Sequence, residues 1–338
     1  MSAALRMAFI GSCGHHYLSR FATGRSPRCA AVAVAPDGCG SAAPMHVVEG
    51  IDGFEHFDDP IDMLDRFRPD VLSVGAVYGH NGTFVAAALE RDIPVCSDKP
   101  IAASWAQLER ISSLLDADPR RVVVTEFPMR CDPAFRAARD AVAAGRIGTV
   151  VLATAQKSYR FGTGRQNWYA DRVDYGGTVL WVASHAIDYV RFATGRPYRA
   201  VYGQQANLTR PEYGDMEEVT VNVFELDGGA PAVVHADYSR PAKATSHGDD
   251  RLRIAGASGV VEVRDERCVL VSDDTEPVDI TESGACRAAH DEILASLEGE
   301  TNDLFGNDAS LETATACLAA RDAADGRCTV AVPTDPNR

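Results

Sequence analysis

The sequence predicts an α/β protein with two domains: a doubly wound parallel sheet, followed by an α/β domain with a large, mostly antiparallel sheet. Up to about residue 127, short continuous apolar runs alternate with helical patterns, as a parallel sheet covered on both faces requires. Beyond residue 128 the strands lengthen and are joined by short turns such as DGG and RDER, which is typical of antiparallel pairing. A chain of 338 residues can form two cores. We therefore predict domains at residues 1–127 and 128–338.

The first domain is predicted to contain five buried strands, because its apolar runs are short and uninterrupted. Two clear helical patterns lie among them, NGTFVAAALERD at 81–92 and SWAQLERISSLLDAD at 104–118. The predicted strands are MAFIG (7–11), AAVAVA (30–35), VLSVGA (71–76), IPVCS (93–97) and VVVTEF (122–127).

The second domain is predicted to begin with the helix DPAFRAARDAVAAGRIG (132–148). Long strands follow, at 149–161, 200–209, 217–226, 231–239 and within 251–273. A helix over Gly176–Gly195 lies between the first two of these strands. Helical patterns return at 287–299 and 308–324.

Composition and charge exclude several classes of protein. The chain is 46% hydrophobic and 24% charged, with a net charge of -15, which disfavours binding to nucleic acid. No window approaches 18 apolar residues and the N-terminus lacks the apolar core of a signal peptide, so we expect neither a membrane span nor export. Nine cysteines without a CxxC pair favour reduced thiols in the cytoplasm.

The turn after the first strand, FIGSCGHHYLS, is glycine-rich. Such a turn lets backbone N–H groups approach a pyrophosphate at a helix N-terminus, although a plain strand–helix turn explains the pattern equally well. Against the usual GxGxxG spacing, the first glycine is present, the other two positions hold cysteine and histidine, and one glycine is extra. No acidic pair or neighbouring cysteine completes a metal site with the adjacent histidines, so no metal is predicted. The predicted cofactor-binding residues here are Gly11, Ser12, Cys13, Gly14, His15 and His16.

Two further side chains follow predicted strands at the edge where ligands bind. Asp37, in AVAPDG, is placed to bind the ribose hydroxyls of a dinucleotide, which favours NAD over NADP; a turn-forming aspartate before Gly38 is an equally good interpretation. Lys99 follows the fourth predicted strand, IPVCS, and precedes Pro100, whose ring restricts the lysine backbone. The lysine is therefore aimed at the ligand edge from a fixed loop.

Three motifs, in this order and spacing, resemble the glucose-fructose oxidoreductase/inositol dehydrogenase (Gfo/Idh/MocA) family over nearly the whole chain. They are SDKP with the segment before it, EFPMRCDPAFRAARDAVAAGRIGTVV, and YGGTVLWVASHAIDYVRFATG. The resemblance implies a Rossmann domain followed by an α/β domain with an open sheet. It also implies hydride transfer between NAD(P) and the hydroxyl carbon of a sugar, cyclitol or related polyol.

The resemblance implies that His185 faces the nicotinamide and exchanges the hydroxyl proton, since histidine titrates near neutral pH. Lys99 would polarise the substrate oxygen. Asp188, on the same helix face, would orient the imidazole or bind substrate, and a salt bridge is the alternative. We also predict that Trp181, Arg165 and Trp168 bind substrate, with Tyr169 beside them. Core packing is the alternative for Trp181, and a solvated loop with one anchoring aromatic residue is the alternative for the others. Ala76, Tyr78, Asp98 and Lys99 are predicted to bind the cofactor.

Differences from the family pattern leave other functions open. Trp181 stands where active members often have aspartate, and together with the irregular GSCGHH loop it supports a non-catalytic ligand-binding or regulatory homologue. A lyase-like or hydrolytic reaction using bound NAD is a third hypothesis. The open sheet of the family commonly forms subunit interfaces, so we expect a homodimer or homotetramer that buries strand residues such as Val219, Val221 and Val223.

Overall fold

The computed structural model describes residues 4–23, 26–281, 287–300 and 303–334. These residues form two units. The first draws on Met1–Glu126 and Ala288–Leu311, and the second on Phe127–Arg287 and Glu312–Pro336. In the part of the chain that is described, no helix is long and apolar enough to cross a membrane.

The first unit contains a parallel sheet whose strands are ordered β3-β2-β1-β4-β5-β6. The order reverses between β1 and β4, and at such a switch point doubly wound proteins bind their ligands. The strands are β1 (Leu5–Ile10), β2 (Cys29–Ala35), β3 (Glu55–His56), β4 (Val71–Val74), β5 (Val95–Ser97) and β6 (Val123–Thr125). Its first helices are α1 (Ser19–Thr23), α2 (Pro60–Phe67), α3 (Asn81–Leu89) and α4 (Trp105–Ala117).

Local sequence explains where these helices begin. The Asp59 side chain accepts hydrogen bonds from the backbone N–H groups of Ile61 and Asp62 at the start of α2. Ser104 caps α4 in the same way, through the N–H of Gln107. Short polar residues at this position satisfy amides that the helix itself leaves without acceptors.

The second unit contains a nine-stranded sheet, ordered β14-β13-β12-β11-β7-β10-β9-β8-β15. Only the β7–β10 pair is parallel among the pairs described, so the predicted mostly antiparallel sheet is confirmed. The strands are β7 (Val150–Tyr159), β8 (Tyr198–Ala206), β9 (Val219–Leu226), β10 (Pro231–Asp237), β11 (Gly248–Gly256), β12 (Gly259–Arg264), β13 (Arg267–Ser272), β14 (Thr275–Asp279) and β15 (Thr329–Ala331). The helices from here on are α5 (Pro133–Ala143), α6 (Arg172–Tyr175), α7 (Ser184–Thr194), α8 (Ala289–Leu297) and α9 (Asn307–Gly326).

The nine-stranded sheet has a covered face and an open face. Along β9, Asn222 and Phe224 are buried whereas Val221 and Val223 are each 42% exposed. Since successive strand residues point to opposite faces, this alternation separates a packed face from one that presents apolar side chains to solvent. Helices α5 and α7 lie against the packed face.

The structure differs from the predicted domain division at one segment. Residues 288–311, predicted to lie in the second domain, belong to the first unit. Asn307 and Ser310 accept hydrogen bonds from the N–H groups of Val123 and Thr125. These amides belong to β6, which is the edge strand of the sheet among the described residues. Polar side chains from a distant segment therefore accept the hydrogen bonds that a neighbouring strand would otherwise accept.

Candidate functional site

The turn after β1 lies against the end of β4. Gly11 has a φ of 76°, and a Cβ at this position would lie 2.6 Å from the carbonyl oxygen of Gly75. A Cβ on Gly14 would lie 2.7 Å from Oδ2 of Asp98. The N–H groups of Cys13 and Gly14 both donate to Gly75 O, at 2.8 and 3.2 Å. The glycine that seemed extra in the sequence is thus required by the close approach of Asp98.

The buried side chain of His16 connects this turn to β4. Its ring nitrogens lie 2.7 Å from Ser73 Oγ and 2.8 Å from Gly11 O, and the residue is 6% exposed. Burial lowers the pKa of His16 to about 4, although the hydrogen bond to Gly11 opposes the shift. The structure therefore places a neutral imidazole inside the protein, in contrast to the predicted contact of this side chain with a cofactor.

Asp37 is also held inside the protein. Oδ1 accepts from the N–H groups of Cys39 and Ser41 and Oδ2 from that of Val77, all within 2.8 Å, and the residue is 3% exposed. Ser41 Oγ in turn accepts the N–H of Ser12 at 2.6 Å. Of the two interpretations of Asp37, this geometry matches the turn-forming aspartate, because the carboxylate joins the loops after β2 and β4 while Ser41 connects them to the loop after β1.

Ala76 and Tyr78 lie in the loop after β4, and both are buried. Tyr78 Oη donates to Cys13 O at 3.3 Å, and Ala76 N donates to the side chain of Asn81 at 3.0 Å. The Asn81 amide also donates to the carbonyl of Asp98, which ties the loops after β4 and β5 together. A buried asparagine near a strand end is the only sequence signal for this link.

Asp98 and Lys99 form a buried ion pair at the carboxyl end of β5. Each is 1% exposed, and Asp98 Oδ1 lies 3.1 Å from Lys99 Nζ. His15 donates its backbone N–H to Oδ2 at 2.7 Å, and its Nδ1 lies 3.0 Å from the same oxygen. Burial opposes ionisation, but Lys99 and the hydrogen bonds from His15 hold the pKa of Asp98 below its usual range. The lysine is thus buried beside a carboxylate whose negative charge balances its positive charge.

Glu126, which sequence reasoning missed, follows β6 and is 1% exposed. Oε1 accepts from Tyr17 N at 3.2 Å and lies 3.5 Å from Cys96 Sγ, while Oε2 has no hydrogen-bond partner among the described residues. Burial, together with the charge of Asp98, raises the pKa of Glu126 well above its usual value. The protonated form of this carboxyl is therefore favoured over a wider pH range than in an exposed glutamate.

In the second unit, His185 lies at the start of α7, after one turn of π-helix at Val179–Ala183. Such turns frequently occur at functional sites. His185 is 6% exposed, its Nε2 lies 3.5 Å from Tyr159 Oη, and Phe127 packs edge-on to its ring. Trp181 is 7% exposed within the π-helical turn.

Asp188 is buried and its carboxylate faces Arg130. Arg130 Nε lies 3.0 Å from Oδ2 and Nη2 lies 2.5 Å from Oδ1, and Thr313 Oγ1 donates to Oδ1 at 3.0 Å. The predicted alternative of a salt bridge is therefore the arrangement found. Arg130, four residues past Glu126, was not identified from the sequence.

Arg165 lies among aromatic rings. Its guanidinium carbon is 4.5–4.8 Å from the ring centres of Phe161, Tyr169 and Tyr238, and Nε donates to Phe161 O at 2.7 Å. Trp168 stacks on Tyr169 with ring centres 4.3 Å apart. The structure thus brings Arg165 and Trp168 together through Tyr169, and substrate binding by them stays a prediction.

Sequence models of two domain families match this chain. One, described as an oxidoreductase family with an NAD-binding Rossmann fold, matches residues 5–126, and the GFO/IDH/MocA C-terminal domain matches residues 135–262. The resemblance stated from the motifs and the doubly wound fold are thereby confirmed.

Individual proteins give the same result. D-xylose 1-dehydrogenase (NADP(+)) 2 of Haloferax volcanii is 29% identical over 174 residues, which is 50% of this chain and only 52% of that enzyme. Inositol 2-dehydrogenase of Rubrobacter xylanophilus is 23% identical, over 79% of this chain and 77% of its own. A solved Thermotoga maritima structure, provisionally described as an oxidoreductase, is 30% identical with a TM-score of 0.89. It covers 97% of this chain, and all of that chain is matched.

Proposed function

Because this chain belongs to the Gfo/Idh/MocA family, we propose that it is an NAD(P)-dependent oxidoreductase acting on a sugar, cyclitol or related polyol. It transfers hydride to or from a carbon that bears a hydroxyl group. The observation that carries the proposal is Lys99, an ammonium buried at the carboxyl end of β5 in the domain that matches NAD-binding proteins.

A dinucleotide is proposed to bind at the switch point of the parallel sheet. Gly11 and Gly14 keep the turn flat against the strand ends, and its N–H groups from Ser12 to His15 are bonded within the protein, so the exposed Ser12 hydroxyl is the group of this turn that would donate to phosphate. When bound, the nicotinamide accepts or supplies the hydride. The buried residues Asp37 and His16 would contribute by holding the loops rather than by direct contact.

Each proposed catalytic side chain has a distinct task. Lys99, with its charge matched by Asp98, polarises the substrate oxygen and stabilises negative charge that develops on it. His185 takes the hydroxyl proton during oxidation and returns it during reduction. Trp181 supplies an apolar surface at the position where active family members often have aspartate. This surface would narrow the range of substrates.

We propose NAD as the preferred cofactor. Residues 29–65, which include β2 and the loop after it, contain no lysine or arginine. A ribose 2′-phosphate would therefore meet no cationic side chain from this segment, although arginine is the usual partner there. The buried Asp37 carboxylate adds negative charge to the same loop.

We also propose a cytoplasmic homodimer or homotetramer. The eight described cysteines form no disulfide, as expected in a reducing compartment, while Cys286 lies outside the described residues. The open face of the nine-stranded sheet exposes several apolar side chains that a second copy would cover. These are Tyr202, Val221, Val223 and Val271.

The proposal is tested by following the nicotinamide absorbance across a panel of sugars, cyclitols and polyols, with NAD and NADP in oxidation and NADH and NADPH in reduction. Turnover of at least one compound is expected. Thermal melting with each dinucleotide, which should stabilise by about 2.7 kcal/mol at 100 times Kd, tests binding separately. Binding without turnover on any compound would favour the non-catalytic alternative, and no binding would contradict the proposal.

A further inference from the structure

Strand β7 carries two polar side chains on the face that packs against α7. Lys157 and Tyr159 are two residues apart and therefore point to the same side of the sheet. Lys157 is 5% exposed and its Nζ lies 2.6 and 2.7 Å from the two carboxylate oxygens of Asp250 on the neighbouring strand β11. Lysine is rarely buried to this degree unless it is paired with an opposite charge, and Asp250 is that partner here.

The ammonium of Lys157 also lies 4.8 Å from the ring centre of Tyr159. Gly248, which is paired with Tyr159 two residues before Asp250 on β11, leaves room for that ring, because a Cβ there would lie 3.2 Å from Tyr159 Cε1. The His247 ring lies against it at a tilt of 36°, with ring centres 4.9 Å apart. Lys157, Gly248 and His247 thus fix the orientation of the phenol.

Tyr159 Oη reaches His185 Nε2 at 3.5 Å. His185 is buried, whereas Tyr159 is only partly buried and the neighbouring His247 is exposed. Tyr159 is therefore more accessible to solvent than the imidazole that its hydroxyl approaches. Among the described residues of the second unit, the ionisable groups that interact with this pair include Lys157, His247 and Tyr189, with Asp250 behind Lys157; Phe127 borders His185 with an apolar ring.

We propose that Tyr159 relays protons between His185 and solvent. After His185 has accepted the substrate proton, its Nε2–H proton passes to Tyr159 Oη while the proton already on Oη passes to water. The imidazole returns to its neutral form and the phenol is unchanged, so one proton leaves for each hydride transferred. The Lys157 cation over the ring stabilises negative charge that develops on the phenol during the exchange.

The inference rests on the proposed role of His185, and its kinetic test compares Tyr159→Phe with Tyr198→Phe. Tyr198 is a matched control, because its hydroxyl also meets α7, where it donates to Ile187 O at 2.7 Å. In dilute buffer we expect Tyr159→Phe to lower kcat about tenfold or more, with KM and dinucleotide affinity unchanged. Added imidazole buffer, at constant pH and ionic strength, should restore the rate of Tyr159→Phe and leave that of Tyr198→Phe unaltered.

Two kinetic outcomes would overturn the relay. One is full turnover by Tyr159→Phe in dilute buffer, and the other is a loss that imidazole does not restore, which would leave the phenol a packing residue. The double variant K157M/D250N retains the hydroxyl and avoids an unpaired buried charge, and it should show a smaller, buffer-sensitive loss. It tests the relay even if Tyr159→Phe folds poorly, because a rate that does not respond to buffer would also contradict the proposal.

A measurement on the resting protein separates this inference from the proposed function. With ¹⁵N-labelled histidine, the His185 ring resonances are assigned by their absence in His185→Asn. Tyr159→Phe should change the Nε2 shift and the titration of His185, whereas Tyr198→Phe should change neither. Unchanged resonances in Tyr159→Phe would overturn the relay even if the enzyme is active. Changed resonances without turnover on any substrate would support the contact between Tyr159 and His185 and contradict the proposed oxidoreductase activity.

Discussion

The Arg130 guanidinium binds the Asp188 carboxylate through two nitrogens, and both side chains are nearly inaccessible to solvent, at 6% and 1% exposure. Asp188 is three residues from His185 along α7, yet its acceptor oxygens are committed to Arg130 and Thr313. The pair therefore anchors the helix that carries the proposed catalytic histidine.

We expect Asp188→Asn to destabilise the protein by about 3–5 kcal/mol, because it leaves the Arg130 charge buried without its partner. Urea unfolding measures the change. The matched control is Glu312→Gln, which breaks the more exposed pair with Arg191 and should alter stability by at most about 1 kcal/mol. Equal effects of the two variants would contradict the anchoring role of Asp188.

Lys99→Met and His185→Asn should each lower kcat by about 10²- to 10⁴-fold. Methionine keeps most of the lysine stem without its charge, and asparagine is polar but does not titrate. Dinucleotide affinity, measured by titration, should stay nearly constant in both variants. Wild-type turnover in both would remove these two residues from the catalytic assignment.

Asp37→Asn should weaken NADH and NADPH binding by the same factor, because the carboxylate holds three backbone amides of the cofactor loops. Equilibrium titration of both dinucleotides gives the ratio of their affinities. A selective gain for NADPH would instead indicate that Asp37 acts on the ribose, as the alternative interpretation of the sequence has it.

Glu126→Gln should become more stabilising, relative to the wild type, as pH rises above 4.5. The unfolded glutamate ionises near that value, whereas the folded carboxyl keeps its proton because burial and Asp98 raise its pKa. The folded wild type then binds more protons than the unfolded chain, so its stability falls with pH, by at most about 1.4 kcal/mol per unit. Glutamine does not titrate and escapes this loss.

Glu218→Gln is the control for this pH dependence. Although Glu218 is partly desolvated, hydrogen bonds from Thr209 and Leu208 lower its pKa. Its stabilising contribution is present above its unfolded pKa and is lost as pH falls, so the variant should be weakened most near neutral pH. Melting curves between pH 4 and 8 should therefore diverge in opposite directions for the two glutamines, and parallel curves would contradict the raised pKa of Glu126.

Val223→Lys should dissociate the proposed oligomer, because it places a charge among the exposed apolar side chains of the open face. Sedimentation at micromolar concentration should show a larger species for the wild type and a protomer of 36.2 kDa for the variant. A 36.2 kDa species in both would defeat the prediction.

The sequence by itself determined the architecture and the position of Lys99. Continuous apolar runs and alternating strands such as β9 depend on which faces of a sheet are buried, and that requirement is written locally along the chain. The same holds for the placement of Lys99 directly after β5, since strand ends align in a parallel sheet.

Tertiary structure alone decided which polar groups meet. The pKa of Glu126 is raised because the side chain is buried and because Asp98, 28 positions earlier, lies beside it, and Asp188 pairs with Arg130 from another element. Tyr159 reaches His185 because β7 packs against α7. The Asp37 carboxylate accepts hydrogen bonds from backbone amides of two neighbouring loops. A side chain's protonation and its hydrogen-bond partners depend on burial and on distant neighbours, and neither leaves a periodic signal in the sequence.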